Sequence, residues 1–294
     1  MDLLNGAVRP IYLKYLGAAF GSACISSIYG LVDLAAVGQY HGPSGTAAMS
    51  VVMPVFNIVY SLGLLLGIGG SVLYSAEKGG KGQGKENQLF TAALLGTLLF
   101  SLAAWVGISV FETPLLRLFG AEDSLLPLVQ NYLQWIELVA PAFLFNQMLA
   151  AFLRNDGDPG RATAGVLVGG IFNVFGDFVF VLDMGISGAG LATAMGSVLT
   201  LLVLLTHFLS PKNTLRLTPI PRFPAQLGAI LTTGFSTFFV DLAMGIVTVL
   251  FNRQVLTYLG TDALAVYGVI MNISNFVQCC AYSVGQAAQP ILSI

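Results

Sequence analysis

Eight apolar stretches, each long enough to cross a lipid bilayer, constrain what this chain can fold into. They span approximately residues 11–37, 50–74, 89–111, 128–153, 162–182, 188–208, 227–250 and 264–294. A membrane-spanning helix needs roughly 20 residues to cross about 30 Å of hydrocarbon. Because 56% of the 294 residues are hydrophobic and only 9% are charged, the chain has more apolar surface than one soluble core of its size could bury. The sequence therefore predicts an all-α, polytopic membrane protein.

An internal repeat predicts how the eight helices are grouped. Shifting residues 42–75 by 218 positions aligns them with residues 260–293, and the shift matches Asn57 with Asn275 and Gly67 with Gly285. The second predicted helix then corresponds to the eighth, as in a parallel repeat about an axis along the membrane normal. We therefore predict one complete six-helix bundle at residues 1–208, a cytoplasmic linker at 209–226, and the first two helices of a second bundle at 227–294.

The distribution of basic residues predicts the orientation of the chain. In this topology ten of the twelve Lys and Arg residues fall on one side of the membrane, and only Arg117 and Arg253 fall on the other. Cytoplasmic loops of membrane proteins are enriched in basic residues. Both termini are therefore expected in the cytoplasm.

Four acidic residues lie inside separate apolar stretches, namely Asp33, Glu137, Asp177 and Asp241. A carboxylate costs roughly 2.5 to 3.5 kcal/mol at the centre of a spanning helix, so an acid at such a position indicates an ion or substrate pathway. Each also has a structural interpretation. Asp33 could be a solvated helix end beside a predicted loop at residues 38–45, and Glu137 could hydrogen-bond a neighbouring helix. The role of Asp241 stays open.

Helix depth predicts which polar groups meet. At about 1.5 Å per residue, Asp33 and Asp177 reach the outer half of the first bundle, as do Tyr132 and Thr193 on helices that begin outside. Asn173 lies four residues before Asp177 and so shares its helix face. These groups could bind a hydrated cation or shuttle a proton. Other polar residues are candidates for a substrate or accessory role, namely Asp241, Glu137, Asn146, Gln147, Asn57 and Asn275.

Soluble-enzyme chemistry has little support in the sequence. The two histidines, His41 and His207, are far apart and lack the spacing of zinc ligands. The glycines at 67–70 lie within an apolar helix rather than in a nucleotide-binding loop, and no basic stripe is present for nucleic acid. We therefore expect no enzyme activity, no cofactor and no nucleic-acid partner.

Several motifs resemble one transporter family. The segments at 31–38, around Pro54 at 47–57, at 152–158, at 173–177 and at 188–193 look like those of the multidrug and toxic compound extrusion (MATE) transporters. The resemblance runs along essentially the whole chain. It implies an inner-membrane antiporter in which Na⁺ or H⁺ entry drives export of small cationic amphipathic compounds. The cation site of the family falls on Asp33, Asn173, Asp177 and Thr193, with Tyr132 nearby.

The sequence also departs from this family. Such transporters resemble two six-helix bundles, whereas this chain is expected to be a truncated form with eight of twelve helices. The last two helices should then present small and polar residues to absent partners or to a second copy of the chain, namely Gly234, Ser236, Thr237, Asn272, Ser274, Asn275 and Gln278. Two alternatives are a flippase for lipids or lipid-linked oligosaccharides, and a membrane scaffold that does not transport.

Overall fold

The computed structural model describes residues 8–79 and 85–292, and this part of the chain is about 91% helical with no strand. Its elements are α1 (Val8–Gly79), α2 (Glu86–Leu118), α3 (Leu126–Leu138), α4 (Ala140–Asn155), α5 (Pro159–Met184), α6 (Ile186–Leu205), a short 3₁₀ helix (Thr206–Leu209) and α7 (Phe223–Leu292). The predicted all-α fold is confirmed.

Both very long helices, α1 and α7, are two helices joined at one glycine. Gly42 has φ 62° and ψ −151°, and Gly260 has φ 82° and ψ −175°. Glycine adopts a positive φ without the steric cost that a side chain brings, so one residue suffices to end one helix before the next begins. The internal repeat pairs these two glycines. The predicted loop at residues 38–45 is wrong, because the chain is helical on both sides of Gly42.

The predicted fourth span is also broken. Helices α3 and α4 meet at Val139 and are bent by 56° relative to each other. Pro141 lies in the first turn of α4, where its missing N–H leaves no helical hydrogen bond unmade. If α1 and α7 contribute two spans each and α3 with α4 contributes one, the described residues contain the eight predicted spans.

One face of the helices is exposed and apolar. On α5, Phe175, Phe178 and Leu182 are each at least 66% exposed, whereas Asn173 and Asp177 are buried on the opposite face. Large apolar side chains exposed along several long helices are stable against lipid but not against water. The chain is a multi-pass membrane protein.

Helix α7 packs more extensively against α1 than any other pair of helices packs. Gly234 lies so close to α1 that a Cβ atom at this position would clash with the backbone carbonyl of Leu65, and Gly69 faces Ile230 and Gly234 in the same way. Small residues let helix backbones approach closely in membranes. The expectation that Gly234 faces an absent helix is therefore wrong, because α1 covers it. Ser236 and Ser274 are exposed, and the expectation that they face absent helices or a second copy stays a prediction.

Substituting Gly234 tests this contact. Gly234→Ala should lower the free energy of unfolding by about 1–3 kcal/mol, because the added methyl group forces α7 away from Leu65. The matched control is Gly228→Ala on the same helix, where a Cβ atom would meet nothing within 4 Å. Thermal unfolding of the purified protein in detergent measures both. Equal melting temperatures for the two variants would contradict the contact.

Candidate functional site

Asp33 is the centre of a buried polar cluster in the first bundle. Its carboxylate accepts hydrogen bonds from the hydroxyl of Thr193 at 3.0 Å, from the hydroxyl of Tyr132 at 3.1 Å and from the amide of Asn173 at 3.5 Å. Asn173 also donates to Thr193 at 3.0 Å. Asp33 is only 3% exposed, so it is not a solvated helix end.

Asp177 lies beside Asp33 in the same cluster. It is 1% exposed, and apart from the neighbouring carboxylate of Asp33 no described side chain lies at hydrogen-bond distance from its carboxylate oxygens. Two like charges held close together in a low-dielectric site repel strongly, and a proton or a cation removes that repulsion. We call Asp33, Tyr132, Asn173, Asp177 and Thr193 the carboxylate cluster. The structure brings together all five residues that the sequence predicts for this site.

Close helix packing positions the cluster. Gly190 on α6 lies against the backbone of Tyr132 on α3, where a Cβ atom would clash with the carbonyl oxygen of Tyr132. Thr193 follows Gly190 by almost one helical turn, so this contact sets its distance from Tyr132. Asn173 and Asp177 are four residues apart on the buried face of α5, which packs along α6. The cluster therefore depends on three helices as well as α1.

A central cleft of about 440 Å³ lies between the first bundle and α7. Asp33, Tyr132, Asn173 and Thr193 form part of its wall, so the carboxylate cluster borders the cleft directly. The wall also contains five of the six accessory candidates, namely Asn57, Asn146, Gln147, Asp241 and Asn275. Asn146 is oriented by hydrogen bonds of 3.0 Å to the backbone oxygen and the hydroxyl of Ser197. The cleft joins most of the predicted polar residues in one space.

Glu137 is not part of this arrangement. It lies at the end of α3, two residues before the bend at Val139, and its charge interacts with that of Glu112 on α2. Glu137 is absent from the residues that line the cleft. Its predicted substrate role has no support in the geometry.

The opposite end of the bundle holds a second polar network that sequence reasoning missed. Asp156, in the turn between α4 and α5, accepts from Lys78 at 2.8 Å, from Tyr74 at 3.0 Å and from the backbone N–H of Thr214 at 2.9 Å. His207 joins it, with Nε2 2.9 Å from Asp156 and Nδ1 3.3 Å from Asp158. We call this the linker-end network, because it fastens residues 206–214 to the bundle.

Hydrogen bonds from charged and polar partners stabilise the ionised form of Asp156 in this network. Burial alone would raise the pKa of Asp156, but hydrogen bonds from His207, Lys78 and Thr214 outweigh burial and hold that pKa below its usual value. The side chains of Asp156 and His207 are fully buried. Asp156 and Asp158 of the 152–158 motif were a signal in the sequence. Apart from Arg161, which lies three positions after Asp158, their side-chain partners are 49 or more positions away.

Comparison with known proteins identifies the family. The MatE family model matches residues 18–179, which is more than half of the chain. The chain belongs to the MatE family. The match contains four members of the carboxylate cluster, and Thr193 lies beyond it. MatE proteins are transporters rather than enzymes, and they need no cofactor.

Individual relatives agree with this assignment. The multidrug export protein MepA of Staphylococcus saprophyticus is 26% identical over 274 residues, which is 92% of this chain and 60% of that protein. MepA of Staphylococcus aureus strain MW2 is 25% identical over 273 residues with the same coverage. A solved structure of the MATE multidrug transporter DinF-BH in complex with R6G superposes with a TM-score of 0.91 at 24% identity, covering 98% of this chain and 65% of that one. This chain therefore spans about 60% of the length of these curated relatives.

Proposed function

We propose that this MatE protein is a cation-coupled antiporter that exports cationic amphipathic compounds across the cell membrane. The observation that carries the proposal is that one residue, Asp33, belongs both to the carboxylate cluster and to the wall of the central cleft. A coupling ion at the cluster and a substrate in the cleft would therefore meet at a single carboxylate. The names of the MepA relatives support multidrug export.

The chemistry of the cluster suits Na⁺ or H⁺. Carboxylate, amide and hydroxyl oxygens are ligands that hard cations prefer. Asp177 offers two oxygens that have no other partner among the described residues, and Asp33 is the neighbouring carboxylate. A proton could instead be shared by the two acids. Either ion would neutralise charge that is costly to bury.

The cleft suits an amphipathic substrate. Its wall combines the aromatic and sulfur-containing side chains of Phe56, Phe143 and Met244 with the carboxylate of Asp241. Methionine side chains adapt to ligands of different shapes, and a carboxylate attracts an ammonium or iminium group. Export would follow if binding of the coupling ion at Asp33 lowers the affinity of the cleft for the substrate, and binding of the substrate lowers the affinity for the ion. Such a mutual effect is a coupling free energy between two ligands.

Gradient-driven transport by the purified chain tests the proposal. In proteoliposomes, an imposed Na⁺ or pH gradient should drive movement of rhodamine 6G in the opposite direction. Protein-free liposomes and liposomes treated with an ionophore are the controls. Dye movement equal to that of protein-free liposomes under both gradients would refute the proposed activity, and the response to each gradient alone identifies the coupling ion.

In this proposal the chain lies in the inner membrane of the cell, with both termini in the cytoplasm. After the three native cysteines are replaced, Ser124→Cys should react with an impermeant thiol reagent added outside intact cells, and Pro211→Cys should not. Both positions are exposed and lie at opposite ends of the bundle, so accessibility depends on the side of the membrane alone. Labelling of Pro211→Cys before cell lysis would contradict this orientation and would place the carboxylate cluster in the cytoplasmic half.

A further inference from the structure

Two opposite charges in the central cleft do not pair with each other. Asp241 enters the wall from α7, and Arg154 enters it from the last turn of α4. Neither forms a salt bridge within the described part of the chain. Oδ2 of Asp241 is buried there without a hydrogen-bond partner. Tyr60, which also lines the cleft, lies within electrostatic range of both charges.

The membrane orientation alone does not explain why the side chain of Arg154 faces the cleft. A basic residue at the cytoplasmic end of a helix is common, and its charge usually reaches water or an acidic partner. Arg161 and Lys212 do so here, since both pair with Asp158. The side chain of Arg154 instead faces the cleft, although its backbone oxygen, which accepts from Tyr15 at 2.9 Å, lies at the bundle end. A charge that is turned inward without a protein partner costs free energy unless another group pairs with it.

We propose that Arg154 and Asp241 form a two-point site for zwitterionic amphipathic ligands. The guanidinium of Arg154 would bind a carboxylate or phosphate group, and Asp241 would bind the cationic group of the same molecule. The inference rests on the proposed function and adds the substrate class that the cleft selects. An Arg guanidinium presents paired N–H donors that match the two oxygens of a carboxylate, which a lysine does not. The apolar body of the ligand would lie against the side chains of Tyr60, Phe143 and Met244, which line the same cleft.

A matched pair of dyes tests the site directly. Rhodamine 6G is an ethyl ester with a net positive charge, and its free carboxylic acid, rhodamine 19, is the zwitterion of otherwise identical structure. Fluorescence polarisation with the purified full chain gives the Kd of each dye. Arg154→Gln should weaken binding of the free acid about tenfold and leave binding of the ester within about twofold, because only the acid carries the group that Arg154 binds.

Three further variants separate this site from a general loss of structure. Arg222→Gln removes one exposed positive charge outside the cleft and should change neither Kd. Arg154→Lys keeps the charge but loses the paired donors, so it should weaken the acid less than Arg154→Gln does. It also provides the comparison if Arg154→Gln does not fold. Asp241→Asn should weaken both dyes by a similar factor.

The outcomes distinguish this inference from the proposed function. Equal losses for the ester and the acid in both Arg154 variants, or an unchanged Kd for the acid, would overturn the anionic subsite while leaving cation-coupled export intact. Failure of the wild-type chain to bind either dye would overturn the cleft as a substrate site and both proposals with it.

Discussion

Asp33→Asn is expected to abolish gradient-driven export. Asparagine keeps the shape of the side chain but removes the negative charge that the hydroxyls of Tyr132 and Thr193 surround. The coupling ion then loses its principal counter-charge, and the substrate loses the carboxylate that it shares with that ion. Couplings between two ligands are typically about 5- to 150-fold. We therefore expect the rate of dye export from proteoliposomes to fall by at least about tenfold.

The matched control for this variant is Asp183→Asn. Asp183 is an exposed acid at the end of α5, outside the cluster and the cleft, so its substitution should leave export unchanged. Membrane insertion and the elution profile of both variants should match the wild type. If Asp33→Asn exported dye at the wild-type rate under the same gradient, the carboxylate cluster would not be the coupling site.

Asp156→Asn is expected to produce the largest loss of stability. The substitution removes the negative charge that Lys78 and His207 approach within 2.9 Å, and these partners are left around a neutral amide. Removing one member of a buried ion pair typically costs about 3–5 kcal/mol. Asp156 is fully buried but the side chain of Lys78 is 36% exposed, so we expect a loss near the lower end of that range. The control is Asp123→Asn, because Asp123 pairs with Arg117 at 2.8 Å in an exposed position where such a pair contributes at most about 1 kcal/mol. Chemical unfolding in detergent measures the free energy of unfolding of both variants. A similar decrease for the two would contradict a stabilising role of the linker-end network.

The pH dependence of stability provides a second measurement of the same network. The pKa of Asp156 is lower in the folded chain than its usual value. Its contribution is therefore complete above the pKa of an unfolded aspartate, which is about 3.9, and is lost as the pH falls toward the lower folded-state pKa. Wild type should lose more stability than Asp156→Asn between about pH 5 and pH 3. Parallel pH profiles for the two proteins would contradict the assignment.

The sequence allowed the carboxylate cluster to be predicted because two regular properties of helices locate it. The rise per residue places Asp33, Tyr132 and Thr193 at one depth, and the helical period places Asn173 and Asp177 on one face. Neither property depends on how the helices pack. The same reasoning could not show that Asp33 is buried, because that depends on α3, α5 and α6 lying together around it.

Features that depend on contacts between distant segments were not predictable in the same way. Asp156 and Thr214 are 58 positions apart, and Gly234 meets Leu65 across the pairing of α7 with α1. Arg154 contributed to the predicted topology only as one basic residue of ten, since the direction of a side chain at a helix end is set by tertiary packing. Glu137 had the depth expected of a cleft residue, but its position on α3 turns it toward α2 instead.

Competition between the coupling ion and the substrate is the most direct test of the account. Asp177 is suited to it, because it belongs to the carboxylate cluster but is absent from the described residues that line the cleft. Rhodamine 6G bound to the purified wild-type chain should be released as the concentration of Na⁺ or H⁺ rises. In Asp177→Asn the Kd for the dye should stay constant over the same range. Identical release from wild type and Asp177→Asn would contradict coupling through the carboxylate cluster.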